Sequence, residues 1–211
     1  MFPDLLSDDA FRLETRRLWL RWPRISDTPS LVKYAGDGEV ARFTQRLPHP
    51  YEAADAQAFV LACRKENAAG SQVALALTRK GKPAELIGMI GVHAGAATSA
   101  NKRLSIGYWL GAPFWGQGLM GEALDEMLTL TFQVTPAERV GAVVRKDNER
   151  SLALLNSRGF EIEDERVVNM PLRGGAFASY AVTLPRDVWM RRTAARHASA
   201  QQNRARASAE D

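Results

Sequence analysis

Three glycines fall within six residues, Gly116-Gln117-Gly118-Leu119-Met120-Gly121, between the apolar run Trp109-Leu110-Gly111-Ala112-Pro113-Phe114-Trp115 and an amphipathic stretch opening with Glu122-Ala123. A strand, a glycine turn and a helix start, in that order, make an anion cradle. Glycine lets the backbone turn tightly and approach a ligand closely, and the first N–H groups of a helix lack an intrahelical carbonyl and point at the anion. The implied ligand is a nucleotide-like cofactor carrying a pyrophosphate. Taken literally, the six residues also fit the dinucleotide pattern G-x-G-x-x-G, and Arg145-Lys146 after the next apolar run suits the 2′-phosphate of NADP. A Walker-type loop is excluded, because no Lys followed by Ser or Thr closes the turn.

The elements that must carry this turn follow from periodicity. Leu18, Leu20 and Trp22 alternate with Trp19 and Arg21 as in a strand, and Ser26 or Asp27 can cap a short helix through Tyr34. Gly36-Asp37-Gly38 breaks that helix, Pro48 and Pro50 bracket a loop, and a longer helix is expected from Glu52 to Glu66. Gln72–Thr78, Leu86–Val92 and Arg103–Leu110 read as an antiparallel meander with a Gly/Ala/Ser-rich loop before the last strand. Leu119, Ala123, Leu124, Met127 and Leu128 recur at helical spacing after the glycine turn, and Arg139–Val144 then forms a strand parallel to the one before it. A helix from Asn148 to Arg158 ends at Gly159, and Phe160–Asn169 with Phe177–Leu184 completes a hairpin. The expectation is an α/β (α+β) single domain with a mixed, mostly antiparallel central sheet of about seven strands and helices on both faces. A dinucleotide fold needs several more parallel strand-helix units, so the topology count goes against NADP.

Composition narrows the function classes. With 211 residues, 45% hydrophobic and 25% charged, the chain can bury the core of one globular domain. The net charge of +4 is concentrated at the end of the chain, where positions 186, 191, 192, 196, 204 and 206 are arginines against three carboxylates. The body is therefore nearly neutral, which speaks against a nucleic-acid-binding face, and the tail reads as solvated. Met1–Ala10 lacks the basic flank and apolar run of a signal peptide, and no segment reaches the roughly 18 apolar residues of a membrane span. A soluble cytoplasmic protein with no membrane partner is expected. His49, His93 and His197 show no metal-ligand spacing, so no metal is expected, and the single cysteine, Cys63, sits in an Ala-rich helical stretch as a buried, unreactive thiol.

The segment Ile106-Gly107-Tyr108-Trp109-Leu110, the turn Phe114-Trp115-Gly116-Gln117-Gly118-Leu119-Met120, and Asn148-Glu149-Arg150-Ser151 with Gly159-Phe160 downstream resemble the GNAT N-acetyltransferases. Leu13-Glu14-Thr15, Arg17-Leu18, Leu20-Arg21 and Leu47-Pro48-His49-Pro50-Tyr51 resemble the RimJ/RimL-like branch that acetylates N-termini of ribosomal proteins. The resemblance spans Leu13 to Leu184. It implies a GNAT domain at 13–185, flanked by an extension at 1–12 and a basic helical or disordered tail at 186–211. It also implies acetyl-CoA as acyl donor and an amine acceptor, with a protein or peptide N-terminus as the expected kind. Relatives often form homodimers; the sequence leaves the oligomeric state open.

Carried over, Trp109, Leu110 and Gly111 line the pantetheine arm, and Trp115, Gly116, Gln117, Gly118, Leu119, Met120 and Gly121 hold the pyrophosphate. Asn148 hydrogen-bonds the cofactor near the thioester or serves as a plain helix N-cap. Many relatives carry a Tyr where this chain has Leu155 and a Glu where it has Ser105. Ser151 is therefore the candidate general acid or thiolate donor, which also binds the cofactor, and His93 the candidate base, with Asp37 and Glu39 as alternatives. Pro171–Phe177 is expected to wall the acceptor site. Two other readings stand beside this one: an acyl-CoA-binding module without catalysis, motivated by Ser105 and Leu155, and an NADP-dependent oxidoreductase built on the same glycines.

Overall fold

A computed structural model of the protein describes residues 10–94 and 103–207; the segments 1–9, 95–102 and 208–211, and the side chains of Arg103, His197 and residues 200–207, lie outside that description. In chain order the elements are β1 (Arg12–Glu14), β2 (Leu18–Arg21), α1 (Thr28–Ala35), α2 (Gly38–Ala41), α3 (Ala53–Ala68), β3 (Gln72–Arg79), β4 (Lys82–Ala94) and β5 (Arg103–Leu110). There follow α4 (Leu119–Val134), β6 (Arg139–Arg145), α5 (Glu149–Asn156), β7 (Glu161–Met170), β8 (Gly175–Pro185) and α6 (Arg186–Ala207). The strands form one sheet in the order β1-β2-β3-β4-β5-β6-β8-β7, with β5–β6 parallel and every other pair antiparallel. The eighth strand, beyond the seven expected, is β1, which pairs three residues with β2 and is too short to show an alternation.

Helices cover both faces, so the central strands read as near-continuous apolar runs. Val73, Leu75 and Leu77 of β3 pack with Leu124, Met127 and Leu128 of α4, whereas Ala74 and Ala76 join Leu31 of α1 and Val60 and Cys63 of α3 on the other face. The small side chains on that second face let α3 lie close to the sheet. The spacing of buried residues along α4 follows its sequence pattern, and Thr131 enters the same buried stripe by donating its hydroxyl to the Met127 carbonyl.

Two details depart from the local pattern for a physical reason. Arg21 alternates onto what reads as a solvent face, yet it is buried, because Asp27 grips its guanidinium at 2.9 and 2.7 Å. Asp27 stands at the N-cap position of α1, but its carboxylate is committed to Arg21 and to the Arg24 N–H rather than capping the helix. The basic tail is also anchored at its start: Trp189 is buried in the main core, and Arg186 donates to the carbonyls of Phe132, Thr135 and Ala137. No helix among the described residues is long and apolar enough to cross a membrane.

The feature that shapes the site is the β5–β6 pairing. It runs only from Arg103 to Ser105 against Arg139 to Gly141, after which β5 stays with β4 through Leu110 and β6 stays with β8 through Arg145. The two strands therefore diverge, leaving a wedge in the middle of the sheet.

Removing one partner of a buried, bidentate ion pair strands the other charge, so Asp27→Ala should destabilise the fold by about 3–5 kcal/mol in urea denaturation. A loss no larger than that of an exposed charge deletion would show that Arg21 finds another partner.

Candidate active site

The wedge opens into a cleft of about 380 Å³ that reaches both faces of the sheet. Alternation along the strands sorts its lining. His93, Ser105 and Trp109 project to the α1/α3 side with Met89, while Tyr108 projects to the α4/α5 side, where Asn148, Ser151 and Leu155 also line the cleft. From Ile106 to Leu110 the β5 edge facing the wedge has no strand partner, apart from the Leu110 carbonyl, which accepts from the Trp115 indole at 2.7 Å.

At the wide end of the wedge lies the glycine turn. Gly116 and Gly118 have φ of +74° and +71°, a left-handed conformation that favours glycine, and Gly118 is the N-cap of α4. The N–H groups of Leu119, Met120 and Gly121 form the first turn of α4 and have no intrahelical acceptor. Gly121 leaves room for the Arg158 guanidinium to lie over the first turn of α4, where a Cβ would stand 2.2 Å from it and displace this flexible side chain. Arg150, from the first turn of α5, stacks on Trp115 at 4.5 Å, so the turn is flanked by Arg17, Arg150 and Arg158.

A clasp from the far end of the chain holds this turn. Glu122 accepts from the Thr15 hydroxyl, from the Arg17 N–H at 2.7 Å and from Arg17 Nε at 2.7 Å, and Arg17 Nη1 donates to the Gln117 carbonyl at 2.9 Å. Burial pushes the Glu122 carboxyl up, but the hydrogen bonds from Thr15 and Arg17 outweigh it and hold the group below its usual value of 4.5. Arg17 thus neutralises a carboxylate that would otherwise oppose an anion in the turn. The sequence shows these residues as motifs but not as partners, because 107 residues separate Thr15 from Glu122 and 105 separate Arg17 from it.

The reactive side chains divide between the two faces. Asn148 caps α5, its Oδ1 accepting from the Ser151 N–H at 3.2 Å, and its Nδ2 has no partner among the described residues. Capping therefore uses only the oxygen of this amide and leaves its Nδ2 hydrogens free. The Ser151 hydroxyl lies 2.8 Å from the Tyr108 hydroxyl, and burial pushes that phenol up to about 12 while the Ser151 hydrogen bond pulls the other way. Sequence reasoning missed Tyr108. Its only signal was its place in the strand before the turn, on the face opposite Trp109.

On the other face, His93 Nδ1 lies 2.8 Å from the Ala94 carbonyl. A carbonyl only accepts, so Nδ1 carries the hydrogen and Nε2 of the neutral ring keeps a lone pair. Ser105 is directly across from His93 in the β4–β5 register. Asp37 caps α2 and Glu39 pairs with Arg42, and neither lines the cleft. Cys63 is buried, and desolvation with Glu66 nearby pushes its thiol up to about 12. Among the described residues, no three His, Cys, Asp or Glu side chains converge as a metal ion requires.

The β7–β8 turn closes the α1/α3 side of the cleft. Arg173 donates to the carbonyls of Ala41 and Leu47 and to the Thr44 hydroxyl, tying that turn to the loop after α2. Arg145 sits between Phe177, at 3.9 Å, and Phe43, at 5.5 Å, with Asp147 holding its guanidinium. Of the other aromatics, Trp22, Tyr34 and Tyr51 are buried in the core and Trp19 packs under Arg12 and Lys80.

The profile of the acetyltransferase (GNAT) domain family matches residues 17–161. The chain is 29% identical over 151 residues to an uncharacterized N-acetyltransferase, p20, of Bacillus licheniformis, covering 72% of this chain and 83% of that one. Its fold is similar to that of Mycobacterium smegmatis RimJ in complex with CoA-disulfide, with a TM-score of 0.73, 20% identity, and coverage of 87% of this chain and 93% of that one. It is also similar to the ribosomal-protein-S5-alanine acetyltransferase of Vibrio fischeri, with a TM-score of 0.72, 18% identity, and coverage of 85% and 98%.

Because the Glu122 carboxyl titrates lower in the folded chain than its usual 4.5, its contribution to stability is full above that value. It is lost as the pH falls through the lower folded value. Glu122→Gln should therefore melt at a lower temperature than the wild type at pH 7, with the gap narrowing as the pH drops below 4.5. A gap that stays constant down to acid denaturation would remove the ionic part of the clasp.

Proposed function

The chain belongs to the GNAT acetyltransferase family, and from that premise we propose that this N-acetyltransferase moves the acetyl group of acetyl-CoA directly to the α-amine of a peptide or protein. The observation that carries the reading is the wedge between β5 and β6, which connects a face bearing the Ser151 hydroxyl to a face bearing the His93 imidazole. A direct transfer needs that division: the donor thioester from one side, the amine from the other, and the reacting carbon between them.

In this reading Trp115 to Gly121 take the pyrophosphate, Trp109, Leu110 and Gly111 line the amide-bearing pantetheine arm, and the β5 edge left without a strand partner from Ile106 to Leu110 receives that arm as an added strand. Asn148 Nδ2 and Ser151 sit by the thioester. His93 Nε2 takes the proton that the amine loses on attack, and the Ser151 hydroxyl protonates the departing thiolate. The α-amine assignment is supported by the motif likeness to the ribosomal-protein branch, since the fold similarity to RimJ and the S5-alanine enzyme is one of architecture alone. The loop after α2 and the β7–β8 turn, joined through Arg173, are the walls an acceptor passes. The activity belongs to residues 13–185 in the cytoplasm, with α6 packed on the domain through Trp189.

Thermal melting with acetyl-CoA beside NADPH tests the cradle, since a ligand at 100 times its Kd adds about 2.7 kcal/mol to the folded state. A shift with acetyl-CoA alone supports the reading, and a shift with NADPH alone overturns it. Mass spectrometry should then show acetyl on peptides with a free N-terminus and none on N-terminally blocked peptides bearing lysine. Binding without transfer to any amine would instead favour the non-catalytic module that Ser105 and Leu155 suggest.

Ser151→Ala should lower turnover on the order of 10²-fold while acetyl-CoA still shifts the melting temperature. Unchanged turnover would remove the hydroxyl from the chemistry. For His93→Gln the expected change is loss of the acidic limb of the pH–rate profile, and an unaltered profile would dismiss the histidine.

A further inference from the structure

A serine hydroxyl is a far weaker acid than a thiol, so it cannot simply hand its proton to a thiolate and remain an alkoxide. It needs a second donor behind it. Tyr108 Oη lies 2.8 Å from Ser151 Oγ, comes from β5 rather than from the helix bearing Ser151, and meets it where Leu155 supplies only hydrocarbon. Burial keeps the phenol protonated at neutral pH, and a neutral phenol is a better donor than a serine hydroxyl. Either hydroxyl can donate across this contact; when Tyr108 donates, the hydrogen of Ser151 is turned away from Tyr108. No acceptor among the described residues takes that hydrogen.

Building on the proposed acetyl transfer, we propose that Tyr108 is a positioning residue that acts through Ser151 as the second member of a two-proton relay to the leaving thiolate. As the bond from the amine nitrogen to the acetyl carbon forms and the carbon–sulfur bond breaks, the sulfur keeps the bonding pair. It takes the proton of Ser151 Oγ, and Ser151 takes the proton of Tyr108 Oη. The phenolate recovers its proton from solvent water, and the hydroxide so formed is neutralised by the proton that the amine releases to solvent on the opposite face, so no net charge or redox equivalent is consumed. The relay also sets direction, because a Ser151 hydroxyl held from behind has its hydrogen aimed into the cleft.

The test is Tyr108→Phe, which removes one oxygen and keeps the ring in place, alongside Ser151→Ala and the double variant. Turnover of Tyr108→Phe should fall on the order of 10²-fold with KM for acetyl-CoA and its thermal shift unchanged, and the double variant should be no worse than the more damaged single. A proton inventory in H₂O/D₂O mixtures should be curved for the wild type and linear for Tyr108→Phe, a readout that a packing role would not move. Wild-type turnover in Tyr108→Phe, multiplicative losses in the double variant, or a wild-type inventory that is already linear would each overturn the relay. Absence of acetyl transfer by the wild type, with acetyl-CoA bound, would overturn the enzymatic reading itself, so the two failures are distinguishable.

Discussion

The divergence of β5 from β6 after three residue pairs is the constraint on which everything else depends. A parallel pair in the middle of a sheet normally continues to its ends, because each unpaired backbone group in a buried position costs free energy. Here each strand is held by its other neighbour, β5 by β4 and β6 by β8, and the edges between them are free to part. The gap makes the sheet permeable at one place. It also leaves a row of backbone donors and acceptors that suits an extended, amide-bearing ligand.

Around this gap the molecule uses charge to hold geometry. The Arg17–Glu122 clasp joins the segment between β1 and β2 to the first turn of α4 and leaves the turn's N–H groups clear of internal partners. Arg173 does the same for the opposite wall by bonding backbone carbonyls of α2 and the loop after it. Both are arginines reaching across the fold to groups distant in sequence. Their planar, multi-donor heads fix orientation as well as distance.

Two faces with different chemistry follow from alternation along a single strand. Neighbouring residues of β5, Tyr108 and Trp109, send their side chains to opposite sides, so one strand borders both the α5 hydroxyl and the α3-side imidazole. In the proposed reaction this arrangement puts the hydroxyl and the imidazole on opposite sides of the reacting carbon. The reacting carbon would be the only point that both reach.

Much of this was legible in the residues themselves. The glycine turn, the apolar stripe of α4, the meander and the crossover follow from spacing, because strand and helix periods and the freedom of glycine are local properties. The motif at Asn148–Ser151 was legible through its resemblance to the GNAT family. Three things were not: the burial of Arg21, the grip of Thr15 and Arg17 on Glu122, and the meeting of Tyr108 with Ser151. Each joins groups whose relation is set by strand order and side-chain direction once the sheet is assembled, and Asp27 shows the converse, a residue with a local capping role drawn away by a stronger ion pair. Local periods are enough to say which elements form and where the glycine turn lies. Which face each reactive group occupies, and what stands behind it, emerges only on assembly, because both depend on long-range pairing that no local period records.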